Sequence, residues 1–401
     1  MVQRKLSKTF RNFFDSEKSG GILLIICTAI SLMITNSTFG KGYVDIWHTY
    51  LGPLSVEHWI NDGLMAIFFL LIGLELEREL YNGELSNFKN ALLPIFAALG
   101  GVILPALIHF VFNNGTPTQA GVGIPMATDI AFALGVLALL GSRVPSSLKV
   151  FLAALAVIDD LCAIIVIAVF YTAKLSLWFL IAAVAIWIIL ICLNKFMRVM
   201  SLIPYLIGGA AMWILMLQSG VHATITGVLL AFAIPFSATE DDEKSPSHRF
   251  EYFLHKPVAF LILPVFALAN TGIVIGADAF QSLSTNNSLG IILGLALGKP
   301  IGITLLSFLA VTIGICRLPL DLNWKQIFGA GLLGGIGFTM SIFITNVAFT
   351  NSLELINGSK LAILLASLTI GTIGFVWLRL LGKPHVTNSD LNGQDLEIIE
   401  A

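Results

Sequence analysis

Apolar residues fill long unbroken stretches of this chain, and polar residues gather in short clusters between them. Apolar stretches fall at about 20–35, 56–75, 91–113, 119–140, 147–171, 177–194, 202–217, 220–236, 256–275, 288–313, 326–349 and 359–381. Most have the length of a membrane-crossing helix, roughly 17–25 residues. The pattern predicts an all-α membrane protein of about twelve transmembrane helices, in one polytopic domain over 1–384. Spans seven and eight are short and divided only by Gln218-Ser219-Gly220. The basic start, with Phe10, Phe13 and Phe14 interleaved, predicts an interfacial helix. Asn36–Glu57 reads as an outer loop with a small hairpin over Tyr43–Tyr50. Ser237–His255 reads as an inner loop whose acidic run, Glu240 to Glu243, is a solvated linker. Residues 385–401 read as a disordered tail.

Composition agrees. Of 401 residues, 57% are hydrophobic and 11% charged, against about 25% charged in a soluble globular chain. That excludes a soluble enzyme or a nucleic-acid binder. The net charge of −2 says little; its placement says more. With the N-terminus inside, eighteen of the 22 Lys and Arg fall on inner segments and three (Lys41, Lys174, Lys360) on outer ones. The split predicts that both termini are cytoplasmic. The cysteines Cys27, Cys162, Cys192 and Cys316 lack metal-ligand spacing and read as buried thiols. No cleaved signal peptide is evident.

One feature of the apolar stretches demands chemistry. Asp159 and Asp160 sit side by side in the middle of the run 150–170, and Asp129 and Lys299 lie deep in two other spans. Each costs roughly 2.5–3.5 kcal/mol to insert. Lys299 can neutralise one aspartate, and a buried staple would account for that pair. It cannot neutralise three. At least one carboxylate is therefore protonated, hydrated or bound to a cation, and hard oxygens suit sodium, lithium or protons. Helix neighbours point about 100° apart. One aspartate of the pair can thus face a partner helix and Lys299 while the other faces a wet cavity. No resident cofactor is implied.

Two spans look interrupted. In Ile124-Pro125-Met126-Ala127-Thr128-Asp129, a proline and two helix-cap residues predict a helix that restarts near Asp129 with its positive end inside the membrane. The other carries Gly329, Gly331, Gly334, Gly335 and Gly337 before Phe338-Thr339-Met340-Ser341. Each is the second span of a three-span block, over about 91–171 and 288–381, and the blocks enter the membrane from opposite faces. Inverted-topology repeats with two broken helices crossing at mid-membrane point to a transporter site.

These residues carry a resemblance. Ala127–Pro145 (ATDIAFALGVLALLGSRVP), Ala156–Asp160 (AVIDD), Ser219–Thr224 (SGVHAT), Leu297–Ile303 (LGKPIGI), Gly335–Ile344 (GIGFTMSIFI) and Gly73–Glu79 (GLELERE) resemble the NhaA family of sodium/proton antiporters, from about residue 20 to 381. That family is itself a standard example of the inverted-repeat architecture. The resemblance implies that Asp160 and Asp159 bind the transported cation and protons, with Thr128 contributing to the sodium site. Thr128 and Asp129 stand at the crossing of the broken helices, and Lys299 compensates helix ends and pairs with Asp159. It implies an electrogenic Na⁺(Li⁺)/H⁺ antiporter rather than an enzyme, serving sodium and pH homeostasis in the bacterial inner membrane. It also implies a homodimer formed through the loop 36–57, with 177–275 in the interface-forming part, and pH regulation from a cytoplasmic funnel. Glu75, Arg78 and Glu79 share one helix face at i, i+3 and i+4, and Glu251 and His255 resemble the funnel's other wall. His222 reads as a structural histidine or as a pH sensor. Tyr252 stands where relatives can carry histidine.

Two other functions fit some of the pattern. A sodium-coupled organic-solute symporter can share an inverted-repeat fold. An intramembrane aspartyl protease also needs two membrane aspartates, but on two helices around one water, and this chain lacks a GxGD signature.

Overall fold

A computed structural model describes residues 8–382 apart from 87, 172–174, 238–244, 277–278 and 351, and their side chains apart from 8–18, 84, 88, 89, 142, 279 and 280. The acidic run 240–243 and the tail 385–401 lie outside the described residues. Helix dominates because a backbone in an apolar environment must satisfy its own hydrogen bonds.

In chain order the helices are α1 (Lys8–Thr35) and α2 (Gly40–His48), α3 (Val56–Tyr81), α4 (Phe88–Asn113), α5 (Ile130–Leu139) and α6 (Ser146–Phe170). They continue with α7 (Leu177–Lys195), α8 (Ile203–Ser219) and α9 (Ile225–Ala231), α10 (Pro246–Asn270) and α11 (Asn286–Thr312). The last are α12 (Trp324–Gly334), α13 (Phe338–Ala348) and α14 (Leu353–Leu381). A 3₁₀ segment, Pro117–Met126, precedes α5. Among the described residues, eight helices are long and apolar enough to cross a membrane, or ten if each of two bent pairs counts as one span.

Every predicted span contains helix, yet the structure departs from the sequence reading in several places. The eighth span, 220–236, holds only the seven-residue α9. The start of the chain does not break into an interfacial helix and a span, since Lys8–Thr35 is one helix. Gly40–His48 is helical, turned 115° from α1, so the predicted hairpin over Tyr43–Tyr50 is misplaced. A two-residue hairpin forms just after it, pairing β1 (Tyr50–Leu51) with β2 (Leu54–Ser55). The ninth span begins at Pro246, inside the predicted loop, where Ser245 caps the helix by accepting from the His248 N–H. Cys192 is exposed on α7, the least buried of the long helices, rather than buried.

Prolines shape two long helices. In α11 the Lys299 N–H reaches back five residues to the Gly294 carbonyl. The following Pro300 has no N–H for the usual partner, and its ring would crowd the preceding turn. The helix widens into a π-turn, a local device that re-aims the side chain at its end. The same happens in α10, where Leu263 N–H bonds Val258 before Pro264.

Glycine brings α4 and α11 together. A Cβ on Gly100 would lie 2.0 Å from the Gly302 carbonyl oxygen, and one on Gly302 would lie 2.1 Å from that of Gly100. Any side chain at either position would push these backbones apart. Both helices lead their three-element blocks, each ordered as continuous, interrupted and continuous helix.

Candidate ion-binding site

The site forms where the two interruptions meet. After Met126 the chain is extended, and Asp129 then caps α5, accepting from the Phe132 N–H at 2.9 Å. The second break, between α12 and α13, bends the path by 46° at Gly335-Ile336-Gly337. The two are tied directly: the Asp129 N–H donates to the Ile336 carbonyl at 2.7 Å. Asp129 Oδ2 accepts from the Thr339 N–H at 3.0 Å and from its hydroxyl at 2.5 Å. One carboxylate thereby serves the positive N-terminal ends of both α5 and α13, about half a unit charge each. The predicted restart at Asp129 is observed. Thr339, which completes this arrangement, lies in the stretch after the second interruption but has no assigned role in the sequence reading; a threonine in an apolar helix carries no signal of its own.

The opposing helix end, at the Gly334 carbonyl, is linked to a cation through Thr128. Lys299 Nζ donates to Asp159 Oδ2 at 2.5 Å and to Thr128 Oγ1 at 2.6 Å. The Thr128 hydroxyl lies 2.6 Å from Asp159 Oδ2 and 2.9 Å from the Gly334 carbonyl, the C-terminal end of α12. Lys299, Asp159 and Thr128 are all 0% exposed.

Asp160 differs from its neighbours. It is 0% exposed, and among the described residues neither of its carboxylate oxygens has a hydrogen-bond partner. Asp159 Oδ1 is also without one. The helical offset between adjacent residues explains the division: Asp159 is turned to Lys299 and Asp160 away from it. Asp160 is wholly enclosed in this conformation rather than open to a cavity. Matching Asp129 to two helix ends and Asp159 to Lys299 leaves Asp160 as the one uncompensated group of the four. A buried, unpaired carboxylate binds a proton or a cation.

The predicted funnel residues come together elsewhere. Arg78 Nη1 donates to Glu251 Oε1 at 2.8 Å, and Nη2 lies 3.6 Å from Glu79. His255 Nε2 lies 3.3 Å from Glu75 Oε1 and 3.8 Å from Glu251 Oε1. Glu75, Arg78, Glu79, Glu251 and His255 thus form one network between α3 and α10. His222 does not join it. Its Nε2 lies 3.2 Å from the Tyr171 carbonyl, beyond the end of α6. The charge nearest in effect to His222 is Asp62, which lies sixteen residues before Arg78, roughly 24 Å along α3. Tyr252 is exposed.

Broken helices joined at a buried aspartate–lysine cluster define a membrane-embedded secondary transporter for a small cation. The profile of the family described as Na⁺/H⁺ antiporter 1 matches residues 11–378. The chain is 71% identical over 377 residues to the Na⁺/H⁺ antiporter NhaA of Dechloromonas aromatica, covering 94% of this chain and 97% of that one. It is 60% identical over 375 residues to Na⁺/H⁺ antiporter NhaA 1 of Flavobacterium johnsoniae, covering 94% and 97%. It is 57% identical over 384 residues to the NhaA of Cytophaga hutchinsonii, covering 96% and 98%. The chain belongs to the Na⁺/H⁺ antiporter 1 family.

Proposed function

We propose that this chain is an electrogenic antiporter that exports sodium or lithium in exchange for protons. The observation that carries the reading is the enclosed, partnerless carboxylate of Asp160 beside the Asp159–Lys299–Thr128 cluster. Burial disfavours a bare carboxylate. A proton and a sodium ion therefore compete for Asp160, and exchanging one for the other is the transport event. Asp159 and the Thr128 hydroxyl supply further oxygens for sodium.

One proton for one sodium moves no net charge. A second proton is needed for exchange to generate a voltage, and the Asp159–Lys299 pair carries it. Sodium at Asp160 draws Asp159 toward itself, weakens the bridge to Lys299 and lets the pair release a proton. The two groups titrate as a unit. Asp129 stays charged throughout as the clamp on two helix ends.

The network of Glu75, Arg78, Glu79, Glu251 and His255 supports pH regulation. A charged His255 holds Glu75 and Glu251 together; imidazoles lose that charge near neutrality. As pH rises, Glu75 loses its ion-pair partner across the joint and only Arg78–Glu251 still ties α3 to α10, which loosens the joint. The charge split along the chain supports cytoplasmic termini, with this network on the inner side, in the inner membrane of a bacterium. The blocks 91–171 and 288–381 act as inverted repeats. The hairpin of β1 and β2 within 36–57 is the surface through which a second copy docks to form a homodimer.

The test is to add sodium alone to inside-out vesicles and follow the luminal pH with a dye. Sodium-driven proton movement supports the antiporter; movement only with an organic co-substrate supports a symporter.

A further inference from the structure

A second set of buried polar groups lies on the side of the ion site away from Glu75, and nothing in the exchange chemistry uses it. Asn270, the last residue of α10, is 1% exposed. Its Nδ2 donates to Asn61 Oδ1 at 2.8 Å and to the Phe266 carbonyl at 3.0 Å. Its Oδ1 accepts from Asn346 Nδ2 at 2.6 Å. Three amides thus form a chain across three helices: Asn61 on α3, Asn270 on α10 and Asn346 on α13.

The location gives this chain its meaning. Asn346 sits on the broken helix whose first turn holds Asp129 through Thr339, seven residues earlier or roughly 10 Å along the axis. Between them Phe343 packs on Phe69 of α3, with ring centroids 5.4 Å apart. Asn61 lies in the π-turn Trp59–Leu64, fourteen residues and roughly 21 Å before Glu75 on the same helix. The aromatic contact and the amide chain therefore close α13 against α3 and α10 at the end opposite the charged network. The phenyl pair can slide with little loss. The Asn270–Asn346 bond cannot, because parting the helices leaves a buried amide oxygen without a donor.

We infer that the amide chain Asn61–Asn270–Asn346 is the latch that keeps the outer side of the ion site shut. Resting on the antiport reading, the transport cycle opens that side by separating Asn346 from Asn270. Asn61 and the Phe266 carbonyl hold the Asn270 amide in the orientation that receives Asn346 again. These asparagines are positioning residues: they do not touch the ion, and they set how often the site faces outward.

A latch differs from a structural contact in its sidedness. Removing it enlarges the outward-open population, so sodium offered from outside binds with a lower apparent KM, and sodium offered from inside does not. The experiment compares apparent KM for sodium in right-side-out and inside-out vesicles carrying the full chain or the variants Asn346→Ala, Asn270→Ala and both. Asn346→Ala is expected to lower the outer-side KM by about two- to ten-fold, the effect of one ordinary hydrogen bond, and to leave the inner-side KM unchanged or raised. The double variant is expected to match Asn270→Ala, which already removes the bond to Asn346 together with those to Asn61 and Phe266. Asn346 is only half-buried, so its variant decides alone if Asn270→Ala does not reach the membrane. Shifts in the same direction on both sides, no shift on either, or multiplying effects in the double variant would overturn the latch. Absence of sodium-driven proton movement in the unmodified chain would instead overturn the antiport reading, and the latch with it.

Discussion

Among the described residues, two clusters of buried ionisable side chains are built on opposite rules. In the network of Glu75, Arg78, Glu79, Glu251 and His255, each acidic group has a basic side chain within 4 Å and each basic group an acidic one. At the crossing of the broken helices, Asp129 and Asp159 are held by donors, and Asp160 is held by nothing. A closed network changes when one of its own members titrates. An open one changes when something arrives from outside. The first arrangement suits regulation and the second suits cargo, though both place carboxylates beside basic groups.

Replacing Asp160 with asparagine separates the two most strongly. Asp160→Asn should reduce sodium-driven proton movement to background, because no neutral amide provides the anionic oxygen. Membrane levels should be normal, since the carboxylate makes no hydrogen bond whose loss would unfold the site. The comparison breaks if a well-inserted Asp160→Asn protein still exchanges. The next largest effect concerns charge rather than rate. Asp159→Asn combined with Lys299→Gln should leave weak exchange through Asp160 that no longer generates a voltage. Transport measured with and without a potassium/valinomycin clamp checks this. A double variant that still responds to voltage would move the second proton to another group, Asp129 first.

Much of the open cluster was legible in the sequence, because charge in an apolar run is costly enough to stand out. Asp129, Asp159, Asp160 and Lys299 announced themselves this way, and Pro125 with Thr128 marked the break. What was not legible is neutral and tertiary. Thr339 and the three asparagines are ordinary polar residues in apolar helices, and only the fold brings them to their partners. The start of α10 was hidden because Pro246 to Pro257 carries His, Arg, Glu and Lys and so reads as a loop. The segment Tyr43 to Trp47 reads as strand by residue type, yet it is helical and joins Tyr43 to Trp47 by an edge-on ring contact at 5.6 Å.

Smaller effects sharpen the same contrast. Thr339→Val removes a hydroxyl donor from the fully buried Asp129 and should cost about 1.5–3 kcal/mol, as for hydrogen bonds to charged groups. It is measured as a lowered unfolding temperature, with sodium binding weakened only in proportion to lost native protein. His255→Gln removes the titrating member of the closed network. The pH at half-maximal activity should shift while the maximal rate stays close to that of the unmodified chain, as read from dye-reported exchange across pH 6 to 9. A collapse of maximal rate at every pH would make His255 part of the ion path. His222 should matter least, because it stands apart from both clusters. Its substitution should move the pH profile slightly, and complete loss of transport at normal membrane levels would contradict that placement.

The central claim is that a sodium ion and a proton compete for the Asp160 carboxylate, and equilibrium binding tests it without transport. Calorimetric titration of the purified protein with sodium, in two buffers of different ionisation enthalpy, reports both binding and the protons released. The unmodified chain should bind sodium with release of protons, more weakly as pH falls. Asp160→Asn should give no sodium-dependent heat and no proton release. Sodium binding by the variant with undiminished proton release would place the exchange site on another group and contradict the account.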